Sequence, residues 1–116
     1  MSRDPRLYLE EVLDSITKIL AWTEGTTFEA FEADEILTNA VLHKLENLGE
    51  AISRLPPKIK DANPQVDWRG IGDFRNRLAH GYFDVNMKIV WNLVKNRLVG
   101  LKEDLMPILA NLGPEL

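Results

Sequence analysis

The chain has 116 residues, 45% of them hydrophobic, which is enough for one compact core and too much for wholesale disorder. It carries no cysteine, which excludes a disulfide framework, a thiol nucleophile and a cysteine-based zinc site. A net charge of −4 argues against a generic nucleic-acid coat, and no apolar run approaches the ~20 residues that cross a bilayer.

The opening run Met1-Ser2-Arg3-Asp4-Pro5-Arg6 has no apolar signal core and no lipidation motif, so a soluble cytoplasmic protein without membrane attachment is expected. Asp4 ahead of Pro5 reads as an N-cap with proline at the first helical position. Leu9, Val12, Leu13, Ile16, Ile19 and Leu20 then recur at helical spacing, and the helix should stop near Gly25. Thr26 or Thr27 can cap a short helical piece through Phe28 and Phe31. Asp34 opens a long second helix with an apolar stripe of Ile36, Leu37, Val41, Leu45, Leu48, Ile52 and Leu55, ended by Pro56-Pro57. Gly49 inside it costs about 1 kcal/mol relative to alanine, which close helix packing would explain.

Residues 56–66 form a connector with room for one helical turn. Asp67 caps a third helix through Trp68, Ile71, Phe74 and Leu78, although Gly70 and Gly72 weaken its start. Gly81 is placed to end it. Asp84 then caps a fourth helix carrying Val85, Ile89, Val90, Leu93, Val94 and Leu98. Pro107 should kink that last helix or mark the first turn of a short fifth one. No strand-like alternation, internal repeat or low-complexity tract stands out. The expected fold is all-α: an antiparallel bundle of four main helices spanning 1–116 as a single domain.

Charge is uneven. Residues 1–55 hold 5 Lys+Arg against 11 Asp+Glu, and residues 56–116 hold 9 against 7. From Arg75 to Lys102 there are six basic residues and one acid, Asp84, so an RNA-binding surface belongs in this half. Lys95, Arg97 and Lys102 read better as solvated helix faces.

There are two histidines. His43 lies mid-helix between Leu42 and Leu45 and reads as a packing or surface residue. His80 lies at the end of the third helix, where the negative end of the helix dipole favours its protonated form. Arg75 precedes it by one and a half turns and Tyr82 follows just past the terminus. On spacing alone, a basic C-cap and a tyrosine anchoring the turn are sufficient readings. A metal enzyme is disfavoured, because no His-x-x-x-His, Glu-x-x-His or dense carboxylate–histidine cluster occurs. The acidic pairs Glu10-Glu11 and Asp34-Glu35 point apart on a helix, and no phosphate-binding glycine motif is present.

The run from Asp73 to Phe83, Asp-Phe-Arg-Asn-Arg-Leu-Ala-His-Gly-Tyr-Phe, resembles the motif of the HEPN superfamily: arginine, a polar residue, three variable residues, histidine. Tyrosine two residues after the histidine is the mark of the HepT toxins. Arg75, Asn76, His80 and Tyr82 fill these positions. Leu45 to Ile52 (Leu-Glu-Asn-Leu-Gly-Glu-Ala-Ile) resembles the family's second-helix segment, and Val66 to Ile71 its lead-in to the motif helix. The resemblance covers nearly the whole chain.

It implies a dimeric helical ribonuclease, the toxin of a type VII-like toxin–antitoxin pair. The implied partner is MntA, a minimal nucleotidyltransferase that silences the toxin by adding AMP to the motif tyrosine, here Tyr82. No cofactor or metal is implied. Cleaving RNA without metal needs a base for the ribose 2′-OH, an acid for the leaving 5′-oxygen and a cation for the charged phosphorane. Histidine can be acid or base near neutrality, and arginine can hold phosphate in a bidentate grip. One His80 cannot be both in one step, so an isologous dimer placing two His80 and two Arg75 in one cleft is expected. The substrate would be RNA (tRNA or mRNA), the product end a 2′,3′-cyclic phosphate, and DNA should resist.

Asn76 either orients His80, Arg75 or the phosphate, or is a solvated helix residue. Arg77 points away from Arg75 and suits the surface or an RNA-backbone contact. The Gly49-Glu50-Ala51 match suggests Glu50 as a buried partner for an arginine near the site; an exposed glutamate is the alternative. AMP on Tyr82 would bring negative charge and bulk to the place where RNA phosphate should bind. Two rival readings remain at this point. One is a non-catalytic helical binding partner of a minimal nucleotidyltransferase; the other is a bundle in which Arg75 and Tyr82 only pack and cap.

Overall fold

The computed structural model describes residues 4–81 and 86–112, and side chains from Asp4 to Leu78 and from Asn86 to Leu112. Seven helical segments appear among them: α1 (Pro5–Thr23), α2 (Phe28–Ala33), α3 (Glu35–Ser53), α4 (Pro57–Ala62), α5 (Trp68–Gly81), α6 (Met87–Asn96) and α7 (Leu98–Asn111). No strand occurs among the described residues, and no helix there is long and apolar enough to cross a membrane. Helices α1, α3, α5 and the broken arm α6–α7 are the four main members of an all-α bundle; α2 and α4 are short links.

Local chemistry sets most of the helix starts. The Asp4 carboxylate accepts from the Arg6 N–H, Thr27 Oγ1 from Ala30, Asp34 from Leu37 and Asp67 from Gly70. Each satisfies a backbone donor that a helix N-terminus leaves without an internal partner. Gly25, at φ +72°, makes the left-handed turn between α1 and α2.

The helices depart from the sequence expectation in three places. Helix α6 starts at Met87 with Asn86 as its cap, the Asn86 side chain accepting from the Lys88 N–H at 2.8 Å. Asp84, expected to be that cap, and Val85 lie outside the described residues. The break in the C-terminal arm falls at Arg97, so a fifth long segment opens at Leu98 rather than at Pro107, which lies inside α7. Ile36, expected in the apolar stripe, is 84% exposed. It precedes Val41 by five residues, about 140° round the helix, and so lies off the stripe.

The core is one cluster. Leu9, Val12, Ile16 and Ile19 of α1 meet Val41, Leu45, Leu48 and Ile52 of α3; Val90, Val94, Leu98, Leu105 and Ile108 of the C-terminal arm close it. Helix α1 packs on α3 and α7, while α5 packs chiefly on α3. Phe31 of α2 is fully buried, with its ring 4.9 Å from that of Trp91. Lys95 is more than the solvated residue expected. Its ammonium donates to the Thr23 carbonyl at 2.8 Å and sits 4.7 Å from the Trp91 ring centre. It thus meets the negative C-terminal end of α1 and the face of an aromatic ring together.

Candidate active site

Helix α5 carries the motif, and two contacts fix it. At its start the Trp68 indole N–H reaches two carbonyls, Asn63 at 2.9 Å and Lys60 at 3.1 Å, which ties the helix to the end of α4. In its middle, α5 lies so close to α3 that a Cβ added to Gly49 would come within 2.6 Å of Arg75 Cβ and 2.7 Å of Arg75 Cγ. A glycine in α3 is therefore what lets the motif arginine pack against that helix. This is the close approach that offsets the helix-propensity cost of Gly49.

The consequence appears one residue on. Glu50, next to Gly49, receives Arg75 Nη2 on Oε2. The neighbouring Nη1 of Arg75 donates to Asn76 Oδ1 at 3.1 Å. Arg75 and Glu50 are both half-buried, with side chains 31% and 37% exposed, so the pair stays within reach of solvent and of any bound anion. Glu50 is thus neither buried nor free. Its other oxygen, Oε1, takes Nε and Nη2 of Arg54, both at 3.0 Å. Sequence reasoning overlooked Arg54, although its i, i+4 spacing from Glu50 was a usable signal.

The structure thus brings together Glu50, Arg75 and Asn76. Arg77 is exposed and does not join them. His80 falls in the last turn of α5, but its side chain lies outside the described residues, as does Tyr82. His43 is exposed on α3. Among the described residues no three His, Asp or Glu side chains converge as metal ligands would.

Beside Arg75 a groove of about 430 Å³ runs between α5 and the α6–α7 junction. Leu45 and Leu48 line it from α3, Ile71 and Phe74 from α5, and Leu93 and Leu101 from the C-terminal arm. Ile71 and Phe74 are only half-buried, so the motif helix keeps apolar surface uncovered in a single chain.

Comparisons with known proteins point to one family. The profile of the HepT-like family, described as Ribonuclease HepT-like, matches residues 12–108. A candidate RNase of Caldanaerobacter subterraneus subsp. tengcongensis is 34% identical over 107 residues, 92% of this chain and 96% of that protein. A candidate RNase of Methanocaldococcus jannaschii is 32% identical over 113 residues, covering 97% and 93% of the two chains. A probable ribonuclease HepT of Thermococcus cleftensis is 34% identical over 102 residues, 88% and 93% of the two chains. No solved structure matches. With the profile spanning most of the helical bundle and the Arg75–Glu50 contact within it, the chain belongs to the HepT-like ribonuclease family.

Proposed function

We propose that the chain is a metal-independent endoribonuclease acting as a two-fold dimer, with Arg75, Asn76 and His80 as its catalytic set. The observation that carries this reading is an arginine fixed by a carboxylate yet still open to solvent, on a helix that runs on to His80. A guanidinium held in one orientation can take two phosphate oxygens without first paying to order itself. Asn76 keeps the Arg75 fork in plane through Nη1.

His80 supplies the proton transfers. In the dimer one neutral imidazole takes the 2′-OH proton while its protonated mate gives one to the leaving 5′-oxygen. The 2′-oxygen attacks phosphorus, the bond to the 5′-oxygen breaks, and a 2′,3′-cyclic phosphate remains. Arg75 stabilises the added negative charge on the phosphorane. The partly uncovered Ile71 and Phe74 on α5 support pairing through the motif helix.

In this reading the 116 residues act as one cytoplasmic unit, the toxin of a toxin–antitoxin pair. A nucleotidyltransferase of the MntA type attaches AMP to Tyr82, and the added charge and bulk keep RNA phosphate out. Arg77 serves as a backbone contact.

The test is incubation of unmodified protein, its mass checked beforehand, with total RNA, tRNA and DNA in excess chelator. Loss of RNA alone, leaving 2′,3′-cyclic phosphate ends, is the expected result. Intact RNA after treatment with folded, unmodified dimer sinks the enzyme and favours a non-catalytic binding partner of the nucleotidyltransferase.

A further inference from the structure

The Glu50 carboxylate has two guanidinium partners, and only one of them belongs to the motif. Arg75 occupies Oε2, while Arg54 brings Nε and Nη2 to Oε1. A lone Glu50–Arg75 pair would be neutral overall. The anchor that aims the arginine would also cancel the charge with which it attracts phosphate. Two guanidiniums around one carboxylate leave a net charge of +1, so Arg54 restores what Glu50 removes.

Arg54 also has capacity to spare. Its side chain is 58% exposed, and among the described residues its Nη1 has no hydrogen-bond partner. Two guanidiniums bridged by a single carboxylate sit about as far apart as that carboxylate and its hydrogen bonds allow. Anions on both can then be neighbours, as successive phosphates of one strand are.

Arg54 and Glu50 line one depression with Lys44 and Asn47 of the same helix, and with Glu11 and Asp14 of α1. Lys44 is the further cation of this lining, and Glu11 and Asp14 are carboxylates that repel a polyanion and so bound it on the α1 side.

We propose that Arg54 is a phosphate-contacting residue that holds the RNA backbone one phosphate away from the group gripped by Arg75. The contact is to the backbone, so it adds affinity and register without reading sequence. The proposal rests on the ribonuclease reading above.

The test is binding of a 2′-O-methyl RNA oligonucleotide, which has no 2′-OH to deprotonate, across a salt series. Wild-type protein is compared with Arg54→Gln and Arg54→Lys, and thermal melts report the fold of each. Losing one phosphate contact to a single strand should make the slope of log affinity against log salt shallower by about 0.7 in Arg54→Gln. Arg54→Lys keeps the charge and should keep the wild-type slope. An Arg54→Gln slope equal to wild type, in a protein that binds and cleaves RNA, overturns this proposal alone and leaves Arg54 only as a holder of Glu50. A wild-type chain that neither binds the oligonucleotide nor cleaves RNA overturns the ribonuclease reading and the Arg54 contact with it.

Discussion

His80→Ala is expected to cut RNA cleavage by ~10²–10⁴-fold, the usual worth of a positioned acid or base, with little change in melting temperature. His80 lies in the last turn of α5, where alanine, the best helix former, should cost the helix little. The decisive version of the experiment uses mixed dimers. If one cleft needs His80 from both subunits, only pairs of two wild-type chains cleave. An equal mixture after subunit exchange then keeps about a quarter of the wild-type activity, whereas independent sites would keep about half. A linear fall in activity with the wild-type fraction would rule out the shared cleft, even if His80→Ala alone were inactive.

Gly49→Val should damage fold and activity together. A Cβ at this position meets Arg75 Cβ and Cγ at 2.6 and 2.7 Å, and both are near the backbone rather than at a flexible tip. Helix α5 must then move off α3, and overpacking of this kind costs ~1–3 kcal/mol. Gly49→Ala gains up to about 1 kcal/mol of helix propensity, which offsets part of that loss, so its net destabilisation is the smaller of the two. In both variants the guanidinium shifts from Glu50, so RNA cleavage should fall further than the change in stability explains. Gly100→Ala in α7 is the control, because nothing lies within 4 Å of its added Cβ. It should gain roughly 0.5–1 kcal/mol. Thermal melts and cleavage rates on the three variants decide the matter. A Gly49→Ala protein more stable than wild type and fully active would show that the close approach to Arg75 carries no weight.

What the sequence made legible follows from how far each signal reaches along the chain. The caps at Asp4, Asp34 and Asp67 satisfy donors within three residues of themselves, so their spacing alone located the helix starts. The stripe through Val41, Leu45, Leu48 and Ile52 repeats at helical spacing and marks the buried face. Ile36 shared the composition of that stripe but not its angle. The break at Arg97 has no glycine or proline to announce it, and Pro107, which looked like punctuation, is carried inside α7.

Contacts between distant residues were the least readable. Glu50 and Arg75 are 25 residues apart, and only the family resemblance pointed to Glu50 as a partner for an arginine near the site. The reason for Gly49 was anticipated as close packing, but its partner emerged only when α3 and α5 were placed together. Lys95 reaches Thr23 across 72 residues, and nothing in its neighbours distinguishes it from a solvated lysine. Arg54 needed only the i, i+4 rule, but that spacing is common on exposed helix faces and does not by itself mark a pair that joins a site.

The one-sided seating of α5 has a further consequence. This helix packs chiefly on α3, whereas α1 is held by both α3 and α7. Proteins open in cooperative units, and a unit held mainly by one neighbour opens at a lower free energy than the whole. Amide protons of α5 in a single chain should therefore exchange with solvent before those of α1. Whatever covers Ile71 and Phe74 would slow that exchange, which makes the protection of the motif helix a direct reporter of its occupancy.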